Sequence, residues 1–417
     1  MTNTLVRHDS SCRICNSANV QTVFTLSSTP PADDFVAKEF RNSVQDVYPL
    51  ELAICKDCGY VYLPYVVNPE KIYPEFTYVS AVTAGLRRHY SEYAQEISAT
   101  FNIPSQSLVV DLGSNDGSML SCWANLGMRV VGVEPAQAIA QKANQKGLTT
   151  INDFFGEQVV EKILRDYGSA TVIIANYTYA NIDNVIGFTK AVAKLLSPEG
   201  IFIVQTGYHP EQMKIKMFDY IYHEHLSYFT VDTLSNLFHQ CEMEIIQAVK
   251  TQPKGGSIRV VGQLKSGSHN VDPSVNTLMQ EEVLAKMREP ETYIRFASEI
   301  DNAKQKVVDL LRTLKSANKR IVGFGASHST TTLIYHFGIA SFLEYLVDDN
   351  PIKHSLYSPG YHIPVYSSEK MHCDCPDYVI ILAWQHGETI IQKHSAYLES
   401  GGHFILPLPE LEIRVQQ

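Results

Sequence analysis

This sequence predicts an α/β chain of three parts, on three observations. Two Cys-x-x-Cys pairs, Cys12/Cys15 and Cys55/Cys58, stand in a turn-rich opening stretch. Apolar strand runs alternate with helical patterns between residues 108 and 206, and a second alternating series begins after residue 285. Strands separated by helices pair in parallel, with helices on both faces. The reading is therefore a zinc-knuckle head over 1–75, a Rossmann-like domain with a parallel sheet over 76–250, and a second Rossmann-like domain over 251–417.

Composition narrows the function. The 417 residues are 45% hydrophobic and 19% charged, enough apolar residue for full cores and too much for a disordered chain. A net charge of −10 suits no long nucleic acid, which needs a basic face, but it leaves room for a small anionic ligand. No apolar run reaches the ~18 residues of a membrane helix. The opening MTNTLVRHDSSC lacks a basic-then-apolar secretion signal. The expected location is the cytoplasm, with no membrane partner. Oligomeric state is left open.

The head comes first. The pairs read C-R-I-C and C-K-D-C-G. Two residues between cysteines let both thiolates reach one tetrahedral ion, and two such knuckles close a four-sulfur zinc site. Closed coordination leaves no place for a substrate, so the zinc is structural. Gly59 after Cys58 fits a knuckle that needs positive φ. Cys373 and Cys375, one residue apart and without a partner pair, read as loop thiols.

Next come the strands LVVDLG (108–113), MRVVGVEP (128–135), TVIIAN (171–176) and GIFIVQT (200–206), with a helix pattern over 186–196. The first runs into VVDLGSNDGSML, a strand, a glycine turn and a helix start. Gly113 and Gly117 let a ligand approach the backbone, and Asp111, Asn115 and Asp116 stand beside it. Asp116 and Ser118 also suit a helix cap. The pattern is not G-x-G-x-x-G, so a pyrophosphate fits poorly. Glu134 and Pro135 end the second strand, where an acid accepts from ribose hydroxyls. Asp153 and Phe154 offer an acceptor and an aromatic wall for adenine, and Asn176 ends the next strand. A nucleoside without pyrophosphate points to S-adenosylmethionine.

FDYIYHEHLSYFT (218–230) gathers Tyr220, Tyr222, His223, Glu224, His225 and Tyr228. On an extended chain the two histidines share a face, which suits a metal pair, although HExxH is absent. An aromatic packing segment is a second reading. Acid–base work is the third, with histidine able to exchange a proton near neutral pH.

The last unit begins with a helix that keeps Ala303, Val307, Leu310, Leu311 and Leu314 on one face. Strands RIVGFG (320–325), LEYLVDD (343–349), DYVIILAW (377–384) and HFILPL (403–408) follow. Seams are expected near 252–256 and 286–291. Lys254, Arg259 and Lys353 are candidate cations for a diphosphate. Trp384 ends a strand, where α/β sheets bind ligands.

These residues resemble a known family, the S-adenosylmethionine-dependent methyltransferases that add a methyl to carbon 3 of a nucleotide-linked 4-keto-deoxysugar. The matches are the cysteine pairs, the DLGSNDG loop with Glu134 and DFF, YHEHLSYF, and GFGA…DDNPIKHSLYSPGYHIPV…ILAW. The resemblance covers almost the whole chain. It implies a zinc head, a methyltransferase middle and a C-terminal domain that helps hold the nucleotide sugar. It implies His225 as base, Tyr222 as donor to an enolate oxygen and Glu224 as the group that orients His225. The partner it implies is a dTDP- or GDP-linked 4-keto-6-deoxysugar. Departures fall at Asn181, where a histidine is common, at Phe76 with Tyr78 close by, at Lys254, and at Ser329 in place of a lysine. Two alternatives stay open at this point: an oxidoreductase using the GFGA turn for NAD, and a non-catalytic nucleotide-sugar binding protein.

Overall fold

The computed structural model describes residues 5–69 and 86–416. Phe76 and Tyr78 lie outside the described residues.

The head holds β1 (Val6–His8), β2 (Val20–Thr29), β3 (Tyr48–Cys55), β4 (Val61–Tyr62) and β5 (Tyr65–Val67). The short β1 pairs with β5. The main head sheet runs β11–β4–β3–β2, and β11 (Ser227–Tyr228) comes from the reactive segment far along the chain. The head has more apolar pattern than its turn-rich sequence suggests. Val23, Phe24, Leu26, Leu50, Leu52 and Ile54 are buried in one core with Phe296, Ile300 and Leu333 of the C-terminal part. The Phe24 and Phe296 rings meet edge to face, with centroids 6.0 Å apart. Burying such a face is the dominant favourable term in folding, so the head is stabilised by packing as well as by metal.

The middle sheet has the order β12–β13–β10–β9–β6–β7–β8. Its strands are β6 (Leu108–Leu112), β7 (Arg129–Val133), β8 (Thr150–Ile151), β9 (Ala170–Asn176), β10 (Leu196–Gly207), β12 (Met243–Thr251) and β13 (Ser257–Leu264). The five strands from β10 to β8 are parallel, as the alternation predicts. β13 runs antiparallel to both β10 and β12. This hairpin carries the sheet to Leu264, past the seam expected at residue 250. Seven consecutive register partners to β10 hold it there. The helices α1 (Leu86–Thr100) and α2 (Ser118–Asn125) cover one face. Tyr93, Ile97, Met119 and Trp123 fill the core there against Val109, Val172 and Ile203.

The long helix α3 (Pro290–Ser316) leads into the C-terminal sheet. That sheet has the order β16–β15–β14–β17–β18–β19. Its strands are β14 (Ile321–Phe324), β15 (Leu346–Asp348), β16 (Val365–Ser367), β17 (Tyr378–Ile381), β18 (His403–Leu406) and β19 (Glu412–Arg414). All pairs are parallel except β18–β19. After β14 the chain enters α4 (His328–Phe337), which Ser327 and Thr330 start with a reciprocal capping box. No described helix is long and apolar enough to cross a membrane.

Candidate active site and metal centre

One cleft of about 2110 Å³ runs between the carboxyl ends of the two sheets. Gly113, Glu134 and Asp153 line it from the middle sheet, Tyr222 and His225 from the reactive segment, His328 and Trp384 from the C-terminal domain, and Asp33 from the head. Carboxyl-end crevices are where α/β sheets bind ligands.

The four head cysteines place their sulfurs within 4.8 Å of one another. Cys12 and Cys58 Sγ are 3.6 Å apart, and Cys15 and Cys55 Sγ are 3.5 Å apart. A zinc tetrahedron with ~2.3 Å bonds has edges of about 3.8 Å, so the set fits zinc. The Ile14 amide donates to Cys12 Sγ at 3.4 Å, the knuckle's own hydrogen bond. Gly59 takes φ 76°, as the turn requires.

The loop after β6 is shaped for close approach. Gly113 has φ 72°, and a Cβ there would come 2.1 Å from Thr178 Oγ1. Glu134 is buried, and its two oxygens accept from the Asn115 amide at 2.9 Å and the Ala136 amide at 2.8 Å. Burial pushes its pKa up, and those two amides pull it back. Asn176 buries both its amide oxygen and nitrogen at the cleft, close to the buried Tyr93 hydroxyl and without a well-formed hydrogen bond. Buried polar groups are almost always satisfied, so this pair marks a place where a ligand's polar atoms fit. Asp153 and Phe154 lie exposed on the cleft wall, beside Pro135. Asp111 and Asp116 are not on that wall. Asp116 accepts from the Ser118 hydroxyl at 2.7 Å and the Ser118 amide at 3.2 Å, a local turn just ahead of α2, whose N-cap is Gly117. Asp111 is buried under the loop, where desolvation, then the charge of Glu134, push its pKa up to about 7.

The reactive segment is a turn, so its alternate side chains do not share a face. The His225 amide donates to the Tyr222 carbonyl at 2.9 Å, closing a β-turn over 222–225. This brings Tyr222 and His225 together, ring centroids 4.0 Å apart, and sends the two residues between them elsewhere. His223 lies 3.2 Å from the Pro49 carbonyl through Nε2 and packs on Tyr48, so the two histidines form no metal pair. Nor does Glu224 orient His225. Its buried carboxyl lies near the Ala32 amide, and its pKa rises to about 7, chiefly through desolvation, with the charges of Asp33 and Asp34 adding to this.

The Tyr220 carbonyl orients His225 instead. His225 Nδ1 lies 3.0 Å from that oxygen. A carbonyl only accepts, so Nδ1 carries the proton and Nε2 carries the lone pair. Tyr222 donates its hydroxyl to Nε2 at 3.0 Å. Burial, with lesser contributions from Lys254 and His328, pushes the His225 pKa down to about 3. The ring is therefore a neutral base at physiological pH.

The candidate substrate residues divide. Asn181 lines the cleft with a buried Oδ1 that has no protein partner. Lys254 lines it with Nζ 4.0 Å from the Tyr177 ring centre. Arg259 is buried against Tyr93 and pairs with Glu96 at 2.5 Å, leaving Nε without a partner. Lys353 lies in an ion pair with Asp33 and over the Phe35 ring at 4.2 Å. Trp384 donates Nε1 to the buried Asp219 at 3.0 Å, so the indole is packed as well as facing the cleft. Ser329 is buried, 3.1 Å from the Ser327 hydroxyl. Sequence reasoning missed His328, whose ring centre is 5.5 Å from that of Tyr222, and Asp33, 3.9 Å from His328 Nδ1. The GFGA turn that opens α4 hinted at the first; nothing local hinted at the second.

Three family models match successive stretches: a zinc binding domain at 12–73, a methyltransferase domain at 85–248 and a C-methyltransferase C-terminal domain at 252–409. The C-methyltransferase NovU of Streptomyces niveus is 30% identical over 407 residues, 97% of each chain. Among solved structures, the CcbJ methyltransferase of Streptomyces caelestis is 15% identical and covers 46% of this chain and 94% of its own, at a TM-score of 0.34. Magnesium protoporphyrin IX methyltransferase of Synechocystis PCC 6803, solved with bound SAM, is 14% identical and covers 43% of this chain and 79% of its own, at a TM-score of 0.33.

Proposed function

We propose the following reaction for this chain, which belongs to the C-methyltransferase family that joins a zinc-binding head to a methyltransferase domain. It moves the methyl group of S-adenosylmethionine to carbon 3 of a nucleotide-diphosphate-linked 4-keto-6-deoxysugar, through an enolate. The family assignment displaces the nicotinamide alternative. The observation that carries the mechanism is the Tyr222–His225 pair, a neutral imidazole with its lone pair turned to a phenol on the wall of the cofactor cleft.

S-adenosylmethionine supplies an electrophilic methyl whose sulfonium leaves as a neutral thioether. The loop after β6, Glu134 and Asn176 would hold it at one end of the cleft. The carbonyl at carbon 4 of the sugar acidifies the hydrogen on carbon 3. His225 takes that proton on Nε2, handed through the Tyr222 hydroxyl that occupies the lone pair. The C–H electron pair becomes the enolate, and carbon 3 would then be the nucleophile for the methyl group that the cofactor supplies. General-base action of this kind contributes ~10²–10⁴-fold. Alignment of the two reactants contributes roughly 7–11 kcal/mol more. Removing the phenol should interrupt the relay. Tyr222→Phe is expected to slow exchange of the carbon 3 hydrogen with solvent by roughly 10²-fold, a share of that general-base term. Wild-type exchange in this variant would assign Tyr222 to packing.

Lys254 supplies positive charge for the anionic substrate. Burial pushes its pKa down to about 8, so the ammonium is present below that pH and lost as pH rises through it. Activity is expected to fall on the alkaline side near pH 8, and Lys254→Arg to move that fall upward, since a guanidinium stays charged. An alkaline limb at the same pH in both proteins would exclude Lys254 as its source.

The test of the function is mass spectrometry with S-adenosylmethionine and a panel of dTDP- and GDP-linked 4-keto-6-deoxysugars. A gain of one methylene mass is expected. Binding of the nucleotide sugars without any turnover across the panel would favour a binding protein instead.

A further inference from the structure

The residue between the first two zinc ligands does something a structural knuckle does not require. Arg13 lies between Cys12 and Cys15, and its side chain is only 8% exposed. Its Nη2 donates to the Leu226 carbonyl at 2.6 Å, one residue beyond His225. Its Nη1 is 3.5 Å from Asp183, in the loop that follows the cofactor strand β9. Its guanidinium carbon stands 5.1 Å from the Tyr62 ring centre. The other side of the knuckle grips the same place. Just after Cys58, the Tyr60 hydroxyl meets Ser227 Oγ at 2.5 Å, and β4 pairs with β11 through Tyr62↔Ser227 and Val61↔Tyr228. The Leu63 amide also donates to the Leu226 carbonyl, at 3.1 Å.

The segment that carries the base is thus a strand of the metal-bearing sheet. A four-thiolate knuckle fixes the direction of the residues between its ligands, because both flanking sulfurs are held. The planar guanidinium donates to the Leu226 carbonyl through Nη2 while its charge stands beside Asp183 in an ion pair, an arrangement that the point charge of a lysine does not reproduce. We propose that Arg13 is a positioning residue: it transmits the rigidity of the zinc knuckle to residues 225–228 and fixes His225 opposite the cofactor loop, through Leu226 on one side and Asp183 on the other. This rests on the reading of His225 as base. It gives the metal a part in turnover without a place in the chemistry. A displacement of about 1 Å far from the reacting atoms can cost ~10²-fold in rate.

The experiment uses the full chain with zinc bound, as wild type, Arg13→Met, Arg13→Lys and His225→Asn. Amide hydrogen exchange is followed by mass spectrometry, zinc content is measured per chain, and turnover is measured with dTDP-4-keto-6-deoxyglucose. Arg13→Met is expected to keep one zinc per chain and the cofactor affinity of the wild type, to speed amide exchange over 225–229, and to lower kcat about 10²-fold with KM little changed. Arg13→Lys should recover part of both effects. Tyr60→Phe, which cuts the second tie and leaves every zinc ligand and Arg13 in place, should speed exchange over the same residues if Arg13→Met fails to fold. Unchanged exchange over 225–229 in a folded, zinc-loaded Arg13→Met, or in Tyr60→Phe where Arg13→Met does not fold, overturns the proposal whatever the turnover. Normal turnover by His225→Asn instead overturns the base reading, and with it the consequence for kcat.

Discussion

His225→Asn is expected to lower methyl transfer by about 10²–10⁴-fold, the range that a positioned general base contributes. The asparagine amide cannot take up a proton, so the step that makes carbon 3 nucleophilic is lost. Cofactor affinity should survive, because Glu134, Asn115 and Asn176 sit on the ends of β7, β6 and β9, and His225 on the β-turn before β11. Two measurements separate these effects. Titration with S-adenosylmethionine should give the wild-type dissociation constant within about 2-fold, and exchange of the carbon 3 hydrogen in D₂O, with no methyl donor present, should stop. The exchange assay matters because it reports the proton step alone. Its pH dependence is informative too. Burial holds the ring's pKa near 3, so the neutral base form is already full at pH 5 and the wild-type rate should show no rise through the ordinary histidine range. A rise centred near 6.5 would mean that the buried, neutral ring described above is not the one that works. Normal turnover in the variant would remove His225 from the mechanism.

What could be read beforehand was whatever short-range pattern controls. The cysteine spacing, the strand-turn-helix at Gly113 and the acid ending β7 are each set within a few residues, and each stands where the sequence places it. Three other features depend on contacts between distant segments. Asp33 reaches the cleft because β2 and β3 pack on α3 and α4, carrying the intervening loop against Lys353. His328 faces Tyr222 only because α4 starts at the cleft. The partner of His225 is a backbone carbonyl, which any residue at 220 would supply, so no side-chain pattern announces it. The assignment of Glu224 as the orienting group shows the same limit. Adjacent side chains point to opposite faces of an extended chain, and the turn closed by the His225 amide on the Tyr222 carbonyl does not bring Glu224 and His225 together either, so their adjacency in sequence carries no contact.

Glu134→Ala should have the opposite signature to the loss of the base. The carboxylate does two things in one place. It accepts from the Asn115 and Ala136 amides, which holds the glycine loop against the end of β7, and in the proposed binding mode its remaining lone pairs would accept from the ribose hydroxyls of the cofactor. Hydrogen bonds to a charged group are worth about 1.5–3 kcal/mol each, so losing the ribose contacts should weaken cofactor binding about 10–100-fold. At saturating S-adenosylmethionine, kcat should stay close to wild type, since Tyr222, His225 and the Tyr220 carbonyl belong to another segment. Asp153→Ala is the useful contrast. Asp153 is exposed and its oxygen already accepts the Phe154 amide, so water replaces much of what the substitution removes, and its effect on affinity should be several-fold smaller. Isothermal titration of the three proteins decides the matter. Unaltered affinity in Glu134→Ala would reject the ribose role, and a loss as large in Asp153→Ala would move the main anchor of the nucleoside from the sugar to the base.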